Sequence, residues 1–288
     1  MNGKVVSVIR GLYSVDVNGV IFNVQSRGSL RHMGSKPMVG DNVDIDEECC
    51  VINKVYDRKN SFVRPLVANI DQLIIVMSLT EPDFSYYLLF KYITYANYNN
   101  VSSIVVLTKP DKYHDKDKIL EINNVLKTLD IPTYLVNNKT KEGIEDVKKL
   151  FPKKVSCLMG QTGAGKSSLM NAINSEFNRA IGEYSDALGR GKHETKETIL
   201  FPLENGFLAD TPGFSSLELE ITKEDLSHNF PGFNDLYLQC YYSNCLHITE
   251  NKCKVKEAVE NGLIPKIAYD CYLKLNKEIE DRSRGFKL

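Results

Sequence analysis

The sequence predicts a three-part chain: a small all-β barrel resembling an OB-fold at the N-terminus, a central α/β domain on a mainly parallel sheet, and a mainly helical C-terminal domain. Three observations predict it. Up to about residue 64, short apolar runs alternate with turn residues; from about 65 to 216, strand-like runs alternate with helical periodicity; beyond 216 the chain is helical and polar around a cysteine cluster. The segments drawn from these shifts are 1–64, 65–216 and 217–288. With 288 residues, 42% apolar and 25% charged, the composition is that of an ordinary globular protein, and the length alone favours about two domains.

In the first segment, Val5-Val6-Ser7-Val8, Tyr13 to Val17, Val20 to Val24 and Val51 to Val55 read as short strands. Asn18-Gly19 separates two of them, and both residues tolerate positive φ, so a tight hairpin is expected there. Gly40-Asp41-Asn42 marks a second turn. The pattern suits a small barrel, with an OB-fold as the best match. The loop Arg27 to Lys36 carries Arg27, Arg31, His32 and Lys36, and reads equally as a phosphate grip or a solvated surface loop.

In the second segment, Ile70 to Met77 and Val101 to Leu107 are strands. Leu89, Tyr92, Ile93 and Ala96 recur with helical spacing between them. A helix carrying Ile119, Ile122, Leu126 and Leu129 follows, then a strand from Thr133 to Val136, a short helix from Glu142 to Leu150, and a strand from Val155 to Met159. The alternation implies βαβ units and a parallel sheet buried on both faces.

No apolar run approaches the roughly 20 residues that span a bilayer, and Met1 is not followed by a secretory h-region, so a cytoplasmic location without membrane attachment is expected. Formal net charge is -1 and the isoelectric point about 6.5, which leaves no global basic excess for binding phosphate backbones. Any RNA contact must use local patches. Seven cysteines in a chain of this kind argue against a disulfide framework.

Gly160-Gln161-Thr162-Gly163-Ala164-Gly165-Lys166-Ser167 fits G-x4-G-K-[ST] and joins a predicted strand to the helix opened by Ser168. The glycines let backbone N–H groups turn inward around phosphates, Lys166 neutralises β/γ oxygens, and the Ser167 hydroxyl is a Mg²⁺ ligand. Later, the apolar run Gly206-Phe207-Leu208-Ala209 ends in Asp210-Thr211-Pro212-Gly213, an Asp-x-x-Gly. Asp210 is placed to hold magnesium through its water shell, and the Gly213 N–H to sense a γ-phosphate.

A base-reading motif is expected at the end of a strand, where an Asp accepts from two guanine ring donors and a Lys stem covers the base. The sole candidate is Thr108-Lys109-Pro110-Asp111, and it precedes the phosphate loop. Taken alone it reads as a turn closing a strand. With the other two motifs it reads as a GTPase site whose chain is opened at a different point, which is possible when the new ends lie at the surface.

With its motifs in this order, the chain resembles the circularly permuted, small-ribosomal-subunit-dependent GTPase family RsgA over essentially its whole length. Thr108 stands where that family has Asn, which ties the base loop to the phosphate loop, and Asn137-Asn138 stand where Ser-Ala is expected. In Gly189-Arg190-Gly191-Lys192-His193-Glu194-Thr195, the resemblance implies Thr195 as the hydroxyl that senses magnesium and γ-phosphate, with Thr198 in reserve. It also makes His193 the residue that positions water, since Phe214, following the Asp-x-x-Gly, has no group to do so. Intrinsic turnover should then be slow and depend on a partner.

Cys240, Cys245, His247 and Cys253 form C-x4-C-x-H-x5-C, a closed Cys₃His set that suits one structural zinc. Cys49, Cys50, Cys157 and Cys271 are assigned to the interior. The later stripe Ile267, Cys271, Leu275 and Ile279 is expected to pack against a core.

The function expected is that of a monomeric GTPase that binds GTP/GDP and, as the resemblance implies, the small ribosomal subunit and its rRNA. Hydrolysis would time its release during late subunit maturation. The alternatives are a nucleotide-gated RNA-binding scaffold without turnover and a metabolic P-loop ATPase.

Overall fold

The computed structural model describes residues 1–28, 36–63, 65–175, 198–210, 217 and 219–285. Arg31 and His32 of the basic loop lie outside them. Along the chain run β1 (Asn2–Ile9), β2 (Leu12–Val17), β3 (Val20–Ser26), β4 (Asn42–Asp46), β5 (Val51–Val55), β6 (Ser61–Phe62), β7 (Val67–Ala68) and β8 (Gln72–Ser78). Then come α1 (Tyr86–Tyr98), β9 (Ser102–Thr108), α2 (Lys116–Thr128), β10 (Thr133–Val136), α3 (Ile144–Lys148), β11 (Val155–Met159) and α4 (Lys166–Ile173). The last elements are β12 (Ile199–Leu203), β13 (Gly206–Asp210), α5 (Lys223–Asn229), α6 (Asn234–Tyr237), α7 (Lys254–Glu260) and α8 (Lys266–Gly285). Compactness groups them into two units, one of Met1–Leu73, Ile144–Leu158 and Lys166–Ser215, the other of Ile74–Gly143, Met159–Gly165 and Ser216–Leu288.

The first unit contains the barrel, closed in the order β1-β2-β3-β5-β4. Asn18 and Gly19 both take positive φ (54° and 88°) between the paired ends Val17 and Val20, the geometry of a two-residue hairpin matched to strand twist. Arg10-Gly11 repeats the device between Ile9 and Leu12. Strand β4 was not foreseen, although Asn42 to Asp46 alternates, because the preceding turn residues masked its short run. Its pairing of Asn2 with Asp44 closes the barrel. Inside pack Val5, Tyr13, Val15, Val24, Val43, Ile45 and Ile52.

A buried ion pair locks the segment that enters β4. Asp41 has a side chain 0% exposed and accepts from Arg58 Nε (2.7 Å) and Nη2 (2.8 Å), and from the Met38 N–H (2.8 Å). The same unit holds β11 parallel to β13 and the hairpin β12–β13. Strand β12 was likewise not foreseen from the sequence.

In the second unit the strands lie in the order β10-β9-β8, with β9 and β10 parallel. Every residue of β8 is buried, as expected of a strand covered on both faces. The Ser85 side chain caps α1 by accepting from the Leu88 N–H (3.3 Å), and α1 buries Leu89, Phe90, Tyr92, Ile93 and Ala96. Helix α8 packs on α1, with Lys91 paired to Glu278 at 3.0 Å. Phe90, Phe230, Phe233 and Tyr272 join α1, α8 and the segment after α5, with ring centroids 4.7 to 5.6 Å apart.

Two expectations are corrected. Cys157 and Cys271 are buried, but Cys49 and Cys50 are exposed, because they occupy the β4–β5 turn and not a strand interior. On α8 the buried stripe comprises Ala268, Cys271, Tyr272, Leu275 and Ile279, whereas Ile267 is 36% exposed; a 3.6-residue period carries the stripe past a strict i+4 row. Among the described residues no helix is long and apolar enough to cross a membrane.

The Asp41–Arg58 pair yields the first prediction. Arg58→Ala should destabilise the chain by about 3 to 5 kcal/mol, since it leaves a buried carboxylate uncompensated. Urea unfolding should show this as a lower midpoint at unchanged slope.

Candidate functional site

Strand β11 ends at Met159, and the loop Gly160 to Gly165 turns before α4. Gly160, Gly163 and Gly165 all have positive φ. At Gly160 (φ +145°) a Cβ would fall 2.2 Å from the Val76 carbonyl oxygen, so only glycine lets the loop pass β8 this closely. At Gly165 (φ +97°) the same atom would lie 3.3 Å from Asn138 and 3.5 Å from Thr108. The chain thus reverses with little side-chain bulk, the arrangement that turns backbone N–H groups into an anion cradle. Ala164 is buried, whereas Thr162 and Gly163 are exposed.

Two side chains from neighbouring strand ends hold this loop. The Thr108 hydroxyl, at the end of β9, donates to the Ala164 carbonyl at 2.6 Å, and Asn138 Nδ2, just after β10, donates to the Gly165 carbonyl at 3.4 Å. Both positions depart from the pattern that the resemblance implies, and here both contact the glycine loop. Lys166, Ser167 and Ser168 open α4; the two serines are exposed, and burial lowers the Lys166 ammonium pKa below the ordinary lysine value.

Lys109 takes a left-handed conformation (φ 61°, ψ 41°) and leads into a 3-10 turn over Pro110–Lys112 that presents Asp111. Its ammonium donates to the Glu81 carbonyl, and Lys112 donates to the Glu81 carboxylate at 2.5 Å, so one residue braces the motif from both sides. Lys139 donates to Asp111 Oδ2 at 2.9 Å. That hydrogen bond, with the cation's charge, holds the Asp111 carboxyl below the usual carboxylate range. The ionised state is the one a hydrogen-bond acceptor for a base requires. Asn137 Oδ1 accepts from the Lys139 and Thr140 N–H groups (3.0 and 3.3 Å) and shapes the loop that carries Lys139. The sequence reading missed Glu81 and Lys139; the cation directly after Asn137-Asn138 was the available signal for Lys139.

Asp210 is the last residue of β13. Thr198 is buried just before β12. His193, Thr195, Gly213 and Phe214 lie outside the described residues.

In the second unit the donor atoms of Cys240, Cys245, His247 and Cys253 all lie within 4.8 Å of one another. Cys240 Sγ is 3.6 Å from His247 Nδ1 and 3.9 Å from Cys253 Sγ, and His247 Nδ1 is 3.3 Å from Cys253 Sγ. A tetrahedral ion with metal–sulfur bonds of about 2.3 Å separates its sulfurs by about 3.8 Å, so the four donors fit one such ion and leave no open position. Burial pushes the Cys245 thiol up to about 12 and raises that of Cys253 as well, which disfavours three adjacent thiolates unless a cation lies between them.

The surrounding chain orients these ligands. Glu250 accepts from the Leu246 and Ile248 N–H groups, both at 2.8 Å. Tyr269 and Tyr272 of α8 donate to the His247 and Leu246 carbonyls at 2.7 and 2.5 Å. Cys253 caps α7 by accepting from the Lys256 N–H at 3.5 Å. Hydrogen bonds to the backbone on both sides of a ligand fix its direction before the metal binds.

Comparison with known proteins places this geometry. The RsgA GTPase family matches residues 55–220, and the RsgA N-terminal domain matches residues 2–49. The chain is 39% identical over 288 residues to the small ribosomal subunit biogenesis GTPase RsgA of Mycoplasmopsis agalactiae, covering 99% of this chain and 100% of that one. It is 38% identical over 292 residues to the protein of the same name from Streptococcus pneumoniae, covering 100% and 97%. Among solved structures, YjeQ from Thermotoga maritima superposes with a TM-score of 0.83 at 36% identity, covering 96% of this chain and 98% of that one. YloQ, described as a circularly permuted GTPase, gives 0.81 at 31%, covering 98% and 95%.

Thr108→Val keeps the shape of the side chain but removes its hydrogen bond to the phosphate loop. It should raise the dissociation constant for guanine nucleotide about 5- to 15-fold by titration calorimetry, the effect of one hydrogen bond of about 1 to 1.5 kcal/mol. Metal analysis of the purified chain should find one ion per molecule. Cys245→Ser should lose it, together with the ordered near-ultraviolet signal of Tyr269 and Tyr272.

Proposed function

The chain belongs to the RsgA GTPase family, and on that premise we propose that it binds the small ribosomal subunit and its rRNA and hydrolyses GTP to time its own release late in subunit maturation. The observation that carries the reading is that Thr108, at the end of β9, holds the glycine loop while the turn that follows it presents Asp111.

In this reading Asp111 accepts from the two ring-side donors of guanine while the Lys109 stem covers the base face. The N–H groups from Gly160 to Ser168 face the phosphates, and Lys166 neutralises the β/γ oxygens. Ser167, Thr195 and Asp210 offer hard oxygen donors of the kind that suit Mg²⁺, whose charge, when bound, offsets that developing between the β- and γ-phosphates. The Gly213 N–H registers the γ-phosphate, and His193 orients the attacking water. Phe214 cannot do so, and turnover by the chain alone is therefore slow. Stimulation by the subunit supplies the remainder, which for activated GTPases reaches about 10⁵-fold, or roughly 7 kcal/mol.

We assign zinc to the Cys240, Cys245, His247 and Cys253 set because three thiolates and an imidazole in a closed tetrahedron favour it over harder cations. Its role is to organise residues 217–288 as a docking domain, alongside a barrel at 1–64 and the GTPase at 65–216. The chain acts as a monomer in the cytoplasm.

Two measurements test the reading. GTP hydrolysis should rise by orders of magnitude when isolated small subunits are added, and His193→Ala should lower the stimulated rate about 10²- to 10³-fold while leaving GTP affinity unchanged. Tight binding of GTP and subunits without stimulation would return the scaffold reading. Asp111→Ala should reduce the preference for GTP over ATP by about 100-fold or more in competition binding, because a base-directed acceptor is lost.

A further inference from the structure

The first compact unit holds a cavity of about 220 Å³ that none of the nucleotide or metal residues lines. Four lysines face it, Lys4, Lys59, Lys153 and Lys154, against one acidic residue, Asp71. Both oxygens of Asp71 are already engaged. Lys59 donates to Oδ1, and the Val155 N–H donates to Oδ2 at 2.7 Å.

Two of the other lysines are held by neutral groups. Lys4 Nζ donates to Asn42 Oδ1 at 2.8 Å and to the Gly40 carbonyl at 3.3 Å, and Lys154 Nζ donates to Gln72 Oε1 at 3.1 Å. Lys153 is exposed and has no ion pair or side-chain hydrogen bond among the described residues. The cluster is thus oriented without being neutralised, and burial together with the nearby Lys59 lowers the pKa of Lys4. Converging cations of this kind are costly in the empty cavity and favourable once an anion arrives.

The wall of the cavity is rigid. Gly206 lies so close to the 153–154 turn that a Cβ would fall 2.3 Å from the Lys154 carbonyl oxygen, and the Phe207 N–H donates to that oxygen at 2.9 Å. Asn42 and Asn205 add amide groups to the lining.

We propose that this cavity is a second oxyanion site, separate from the phosphate loop, which takes one phosphate group. A carboxylate offers only two oxygens, both in one plane, to donors that line several sides of the cavity. A phosphate group, free or esterified, presents its acceptor oxygens tetrahedrally to ammonium donors spread around it. The group is either free phosphate or one phosphodiester of an RNA backbone.

The test uses the full chain loaded with GDP and magnesium, so that the phosphate loop is filled. Inorganic phosphate is titrated at ionic strength held constant with chloride, following the thermal midpoint, and a short fluorescent single-stranded RNA is titrated in parallel. A saturable rise with phosphate identifies the free anion, and RNA binding without that rise identifies the phosphodiester. In either case Lys153→Gln/Lys154→Gln, at two exposed positions, should weaken the response about tenfold or more, and for RNA should reduce the salt slope by about 2. The proposal is overturned if the double variant responds as the wild type does, if chloride reproduces the effect, or if neither ligand binds. Unstimulated GTP hydrolysis by the same variant should be unchanged, so failure here is distinguishable from failure of the GTPase reading.

Discussion

The phosphate loop depends on a hydrogen bond that it cannot make by itself. A run containing Gly160, Gly163 and Gly165 gains the freedom to wrap its N–H groups around an anion and loses the side chains that would hold that shape. Rigidity must come from elsewhere, and Thr108 provides it through the Ala164 carbonyl at 2.6 Å, with Asn138 adding a longer contact to Gly165. Because Thr108 also begins the turn that presents Asp111, that turn and the glycine loop share one mechanical support. Any displacement of the end of β9 is felt at both. The left-handed conformation of Lys109, unusual for a residue other than glycine, is held by its contact to Glu81.

The same reliance on a few polar anchors recurs where apolar burial is thin. Among the described residues the barrel's core cluster comprises seven side chains, and its closing strand is entered through Asp41, whose fully buried carboxylate is satisfied by Arg58 and the Met38 N–H. The segment from α6 to α7 relies on four metal donors and on the Glu250, Tyr269 and Tyr272 hydrogen bonds that aim them. Leu238 and Tyr241 are 70% and 67% exposed, so the segment buries little apolar surface of its own, and a metal ion held by such a donor set would contribute about 10 to 16 kcal/mol of organisation.

Much of this was legible in the sequence because period and motif report on backbone demands. The Asn18-Gly19 hairpin, the continuous burial of β8, the β11-loop-α4 unit and the Cys₃His cluster each follow from residues whose chemistry admits few alternatives. What escaped was of a different kind. Strands β4 and β12 are short; β4 follows directly on turn residues that masked it, and β12 contains Pro202, which reads against a strand. Thr108 was legible as a departure from a motif but not as a working substitute, since whether a hydroxyl reaches a carbonyl 56 residues away is a matter of ångströms. Glu81 was invisible for the same reason, and Lys139, though its place after Asn137-Asn138 was a signal, could not be paired with Asp111 from the sequence, because both partnerships are set by tertiary placement.

That distinction also explains why the motif order can be permuted without loss of the site. The functional groups of the second unit sit at strand ends and in the loops beyond them, and each is fixed by one or two hydrogen bonds to its spatial neighbours. None depends on which strand the ribosome makes first. What must be conserved is the adjacency of β9 to β8 and β10, with a hydroxyl or amide long enough to reach the loop carbonyls. Chain order is then free to vary, provided that the strand ends that carry these groups stay neighbours.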